Sequence, residues 1–168
     1  MRIAIVQSEY RGGNLSGENQ MVNHTANVLA DFGYEVLLIK VSSKQKEMEK
    51  LYRLKAALNV SFGTGINISS KLDDFKPDLI LCHNTFPNIG FAWMKNRKEP
   101  IVTFLHNYRY FCASATLSRN QETCELCPIK TPIFSLIHKC YKESFLATFL
   151  LYIRQVTPKS ISNEFNVP

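Results

Sequence analysis

The residues best suited to chemistry are His106, Asn107 and Arg109, in the run Leu105-His106-Asn107-Tyr108-Arg109, and four cysteines that follow at 112, 124, 127 and 140. An imidazole can hold or pass a proton near neutral pH, an amide can donate and accept, and a guanidinium can grip a phosphate or carboxylate. Cys124-x2-Cys127 can bite one metal ion, and Cys112 and Cys140 flank it at separations of 12 and 13 residues. Four thiolates suit a closed tetrahedral Zn²⁺ site of the structural kind. Redox or disulfide pairs, and cysteines that merely pack, are the competing readings. Cys82 lies inside an apolar run and reads as core. His24 reads as helix surface, His138 as a metal ligand or an exposed side chain, and His83 as a hydrogen-bonded residue at a strand end.

Elements must bring these residues to a common place. Ile101 to Leu105 is β-branched and aromatic after Pro100 and predicts a buried strand ending at His106. In open α/β sheets that carboxyl rim is where ligands bind. Upstream, residues 2–7 predict a first strand, and the loop from Arg11 to Gly17 follows. Ser16 is the expected N-cap of a helix that carries Val22, Ala26 and Leu29 on one face and stops at Gly33. Glu35 to Val41 predicts a second strand. Lys44 to Leu58 predicts an amphipathic helix with Met48, Leu51, Leu54 and Leu58 as its stripe.

Gly63-Thr64-Gly65 reads as a turn, and a short helix through Leu72 and Phe75 leads to a third strand, Leu79 to His83. A helix over Ile89 to Asn96 connects to the strand at 101. Strands that are continuous apolar runs, alternating with helices, predict a parallel sheet covered on both faces. Residues 111–132 show no clear secondary structure, and a loop of that length needs something to order it. Ile133 to Val156 reads as helical and apolar, broken by Lys139, Lys142, Glu143 and Arg154. Two roles are open for it: covering a sheet edge or a further domain, or lying on a membrane surface.

Length and composition narrow the class. The 168 residues are 45% hydrophobic and 20% charged, which suits one globular domain and argues against disorder. Residues 1–94 carry 10 Lys and Arg against 9 Asp and Glu, whereas 95–168 carry 10 against 5. The basic half suits phosphate-bearing ligands, anionic lipid or nucleic acid. The basic residues are dispersed among apolar helical positions, so nucleic acid is not expected as a partner. The opening apolar run is too brief for a signal sequence, and the longest uncharged apolar stretch, Ser144 to Ile153, is ten residues where a span needs roughly 20. A cytoplasmic protein is expected, with reduced cysteines.

The order of motifs resembles the N-terminal domain of the family-4 glycosyltransferases, retaining enzymes of the GT-B fold. Ser16-Gly17-Glu18 leading a helix, then Asp31 to Val36, is similar to the family's glycine loop, first helix and second strand. Pro77-Asp78-Leu79-Ile80-Leu81-Cys82-His83-Asn84-Thr85-Phe86-Pro87 is more specific. Leu105-His106-Asn107-Tyr108-Arg109-Tyr110-Phe111-Cys112, followed by Cys124-Glu125-Leu126-Cys127 and Cys140-Tyr141, is most specific. The likeness covers roughly 1–155.

This resemblance implies an α/β fold with a Rossmann-like parallel sheet and helices on both faces. Residues 1–156 would form the acceptor-side domain, including the cysteine loop 111–141, and 157–168 a polar tail. It implies that the nucleotide-sugar domain, whose glutamate pair has no counterpart here, is absent, leaving the fold incomplete at the C-terminus and the chain alone inactive. The donor would be a nucleotide-sugar and the acceptor a glycan or lipid-linked molecule. Peripheral contact with the inner face of the membrane is a further expectation. His106 is implied as the catalytic residue, with Gly12, Gly13, Gly17, His83, Asn84, Asn107 and Arg109 binding substrate. Family members often carry Asp after this His; Asn107 cannot serve as a base. A non-catalytic interaction module, or one subunit of a split transferase, is the alternative.

Overall fold

A computed structural model describes residues 1–9, 16–43 and 51–156. Two compact units divide it: Met1–Asn59 with Gly63–His106, and Val60–Phe62 with the chain from Asn107 onward. In the first unit, strands β1 (Arg2–Glu9), β2 (Glu35–Ser42), β3 (Leu79–Cys82) and β4 (Ile101–Thr103) form one parallel sheet of order β2-β1-β3-β4. β1 pairs with β2 over its whole length, Arg2 opposite Glu35 through Glu9 opposite Ser42, and with β3 from Ile3 opposite Leu79 to Val6 opposite Cys82.

Because side chains alternate across a strand, the run Ile3-Ala4-Ile5-Val6 feeds two cores. Ile3 and Ile5 meet Val22 and Ala26 of α1 (Gly17–Asp31) and Leu81 on one face. Ala4 and Val6 meet Ile39, Ile80 and Cys82 on the other, under Leu72 of α3 (Ser69–Phe75) and Trp93 and Met94 of a 3₁₀ turn (Ala92–Asn96). The expected α/β sheet with helical cover on both faces is therefore present. α1 also ends as expected: Gly33 takes φ 83°, its N–H donates to the Ala30 carbonyl, and the Tyr34 N–H donates to that of Leu29. Ser16 is the N-cap residue, but its side chain makes no capping bond.

Five sequence expectations need correction. β4 is shorter than 101–105 and not buried, with Val102 46% exposed, because among the described residues no strand pairs on its outer side. The helix expected at 89–96 is only the 3₁₀ turn. Gly90 at φ 66° breaks regular helix just before it, and Ile89 and Gly90 both donate to the Thr85 carbonyl. The helix expected over 44–58 is α2 (Tyr52–Phe62), which runs past Asn59; residues 44–50 lie outside the described residues. In the second unit the stretch 133–156 is two helices, α5 (Ile133–Ile137) and α6 (Phe145–Val156), because Lys139, Lys142 and Glu143 are all left-handed. The loop 111–132 is also more ordered than expected. It contains an antiparallel hairpin, β5 (Ser118–Arg119) with β6 (Glu122–Thr123), and a helical turn, α4 (Leu126–Ile129). Among the described residues no helix is long and apolar enough to cross a membrane.

Two glycines hold the 63–65 turn against the 88–91 segment. A Cβ on Gly65 would stand 2.5 Å from the Ile89 carbonyl, and one on Gly90 would collide with the Gly63 carbonyl oxygen. Gly90→Ala should cost about 2–4 kcal/mol, combining left-handed strain with backbone displacement. Gly17→Ala, whose Cβ meets nothing within 4 Å, should change stability by less than about 0.5 kcal/mol. Urea midpoints of the two variants check the contrast.

Candidate functional site

The strand order identifies a rim. The chain leaves β1 for β2 on one side and returns to β3 on the other, so the topological switch point lies between the carboxyl ends of β1 and β3. Gln7 and Ser8 lie at the end of the β1 ladder, just before Glu9 closes it, and His83 and Asn84 follow β3. Gln7 and Ser8 are fully buried. Gln7 Nε2 donates to Asn19 Oδ1 at 2.7 Å and to Glu18 Oε1 at 3.3 Å, both at the start of α1. The Ser8 N–H donates to the Asn84 carbonyl at 2.6 Å, and Asn88 Nδ2 donates to the hydroxyls of Ser8 and Ser43.

His83 continues the ladder by donating its N–H to the Val6 carbonyl. Its ring is buried, lies flat on Phe104 with centroids 4.5 Å apart, and faces His106 at 5.2 Å. Nδ1 of His83 and Nε2 of His106 are 2.9 Å apart, so one proton lies between the two rings. His106 itself is exposed. The buried imidazole thus fixes the plane of an exposed one, leaving the other edge of His106 to whatever approaches the rim. Burial, and then the positive charge available to His106, push the His83 pKa down to about 4.

Three polar atoms of these rim residues are buried without a hydrogen-bond partner among the described residues: Gln7 Oε1, His83 Nε2 and Asn84 Nδ2. Each such atom costs about 1–3 kcal/mol when left unpaired. That all three belong to residues at the carboxyl ends of β1 and β3 is the strongest ligand signal in this unit. An open cavity of about 530 Å³ lined by Thr64, Asp73, Trp93 and Arg97 includes none of them. Its charged groups are already engaged, Arg97 with Asp73.

The structure thus brings His83 and His106 together and puts Asn84 beside the same strand end. Gly17 is the first residue of α1, exposed and open to approach. Gly12 and Gly13 lie outside the described residues. Asn107 and Arg109 belong to the second unit. There the Asn107 side chain accepts the Arg109 N–H at 3.0 Å, and the Arg109 guanidinium donates to the Ala113 carbonyl and lies over the Tyr141 ring. Arg109 is therefore a clamp within the cysteine segment, whatever else it touches. Sequence reasoning missed Gln7, Asn19 and Asn88. A polar Gln-Ser pair ending an apolar strand was the available signal for the first.

Cys112, Cys124, Cys127 and Cys140 are all free and at least partly shielded from solvent. Burial, and then the neighbouring Cys112 and Cys140, push the Cys127 thiol up to about 11. Burial, then Cys112 and Cys124, raise Cys140. The four thiols are close enough to act on one another's charge, although among the described residues no group of three or more His, Cys, Asp or Glu is placed to hold a metal ion. Cys82 is core as expected, its thiol pushed up to about 12 by burial. His24 and His138 are exposed, the latter with Nδ1 3.5 Å from Arg119 Nη1.

Compared with protein-family models, curated proteins and solved structures, the chain matches none.

The His83 environment sets a pH dependence. The folded state refuses a proton that the unfolded chain accepts below its ordinary value of 6.5. Stability from this site is therefore complete above about pH 6.5 and falls as the pH drops towards about 4. Chemical denaturation from pH 7 to 4 should show this loss, and His83→Gln should flatten that slope even if it lowers stability overall.

Proposed function

We propose that this chain is the acceptor-side domain of a glycosyltransferase of the GT-B kind, acting on a glycan or lipid-linked acceptor with a nucleotide-sugar as donor. The observation that carries the reading is the His83–His106 pair: an exposed imidazole, oriented by a buried one 2.9 Å away, at the sheet edge where α/β folds take ligands. The order of motifs around it supports the same reading, from the Pro77–Pro87 run to His106 and the cysteines.

In such a transfer the bond from the anomeric carbon to the nucleoside diphosphate breaks, and a bond to the acceptor oxygen forms with loss of its proton. His106 would hydrogen-bond a sugar hydroxyl, or, when protonated, offset charge gathering on the leaving diphosphate. His83 acts through His106 and is a positioning residue. The orphaned atoms of Gln7, His83 and Asn84 are suited to a hydroxyl-rich ligand, which can donate and accept at once. A nucleotide-sugar domain, as further chain or as a partner subunit, would supply the donor side, and this chain alone would transfer no sugar.

One observation favours a second reading, an interaction or membrane-surface module. In the second unit Ile129, Ile137, Phe145 and Leu146 are each more than half exposed, with Lys130, Lys139 and Lys142 on the same segments. Apolar side chains among lysines suit the anionic inner face of a membrane.

Chemical-shift mapping with a panel of UDP- and GDP-sugars and neutral oligosaccharides discriminates the two. The transferase reading expects shifts at Gly17, His83, Asn84 and His106, and at least tenfold weaker binding in His106→Ala with unchanged circular dichroism. Shifts confined to other residues, or sugar turnover by the chain alone, would overturn that assignment. Sedimentation with anionic vesicles and no response to any sugar would favour the second reading.

A further inference from the structure

The second unit carries four cysteines that the rim chemistry does not use. We propose that Cys112, Cys124, Cys127 and Cys140 bind one Zn²⁺ ion through four thiolates, a structural site that ties the 108–144 segment together. Tight turns and local hydrogen bonds hold the backbone around them. The β5–β6 hairpin turns at Asn120 and Gln121, both left-handed, and the Cys124 N–H donates to the Leu117 carbonyl at 2.7 Å, closing the hairpin against the Cys112 turn. Cys127 lies in the single turn of α4, so Cys124 and Cys127 form the two-residue bite that a tetrahedral ion accepts. Cys140 sits in the break between α5 and α6 beside left-handed Lys139 and Lys142, its N–H donating to the Ser135 carbonyl.

Polar groups gather around the Cys112 sulfur. Its sulfur is 3.0 Å from the Ser114 hydroxyl, which is 2.9 Å from the Thr116 hydroxyl, which accepts the Ser118 N–H. With the Ser118 N–H occupying Thr116 Oγ1, both hydroxyl protons are free to point along this relay to the sulfur. The backbone N–H groups of Ser114, Thr116 and Leu117 reach the same sulfur.

The turn that brings these N–H groups to the Cys112 sulfur holds Ala115 and Leu117 in the left-handed region. Arg119, whose charge acts on Cys140, supplies a cation beside a site that four thiolates and Zn²⁺ would leave at −2. The sulfurs do not yet stand in coordination geometry, and binding would draw the loops in until each lies about 2.3 Å from the ion. Each thiol that binds gives up its proton to solvent, so affinity falls as the pH falls.

Metal analysis of the full chain, purified under reducing conditions with zinc present, should find one zinc per chain. Replacement with Co²⁺ should give the intense visible bands of tetrahedral thiolate coordination, with thiolate-to-cobalt charge transfer in the near ultraviolet. Cys127→Ser should abolish stoichiometric zinc, Cys82→Ser should leave it intact, and Ser114→Ala should weaken binding about 10–100-fold. Should Cys127→Ser fail to fold, the cobalt spectrum of the unaltered chain still decides. Absence of stoichiometric metal after reconstitution, a cobalt spectrum without four thiolates, or the four cysteines recovered as two disulfides would overturn the proposal.

Discussion

β1 is hydrogen-bonded on both edges and buried on both faces, and the arrangement of the first unit follows from that. Four consecutive residues, Ile3 to Val6, are at most 1% exposed. A strand so placed needs a cover on each side, since either face left open would expose a row of apolar side chains. α1 supplies one through Val22 and Ala26, and the 68–94 segment supplies the other through Ile68, Leu72, Trp93 and Met94. The same central position ends β1 between the two crossovers. Gln7 and Ser8 are consequently the first polar residues past a fully buried core, at the point where α/β sheets hold ligands.

The polar rim is coupled to that core through the backbone. The Ser8 N–H reaches the Asn84 carbonyl, the His83 N–H reaches that of Val6, and the Phe104 N–H reaches that of Cys82. Parallel pairing therefore sets the height at which His83, Phe104 and His106 stack. A rigid ladder can hold a buried imidazole against an exposed one because the strands below cannot slide: a one-residue slip would move every core side chain of β1 to the opposite face, into a core shaped for other residues. The second unit reaches order by other means. Its helices are short and its left-handed residues many, and its internal contacts include guanidinium–ring pairs, Arg109 with Tyr141 and Arg154 with Tyr110.

Much of the first unit was legible in the sequence. The runs at 2–7, 35–41 and 79–83 are strands within a residue or two, and α1 starts and stops where Ser16 and Gly33 signal. These features depend on local propensity and on burial that repeats along the chain. Legibility failed where distant contacts decide the outcome. The 101–105 run looks like a buried strand, but lies at an edge. The 133–156 pattern looks like one helix, but three left-handed residues break it around Cys140. At the candidate site, the sequence flagged His83 and His106 separately. Nothing local indicated that their rings meet, because 23 residues and a crossover separate them.

By itself the sequence determined which residue types were present for chemistry and which segments alternate as strand and helix, since composition and periodicity are properties of neighbouring residues. It also determined the spacing of the four cysteines. Only the tertiary structure decided that His83 is buried and orients His106, and that Gln7, His83 and Asn84 leave polar atoms unpaired at one rim. Only it decided that Ser114, Thr116 and Ser118 align behind the Cys112 sulfur. Such relations arise when strand pairing and turn geometry bring side chains to one point, and no periodicity along the chain encodes that meeting.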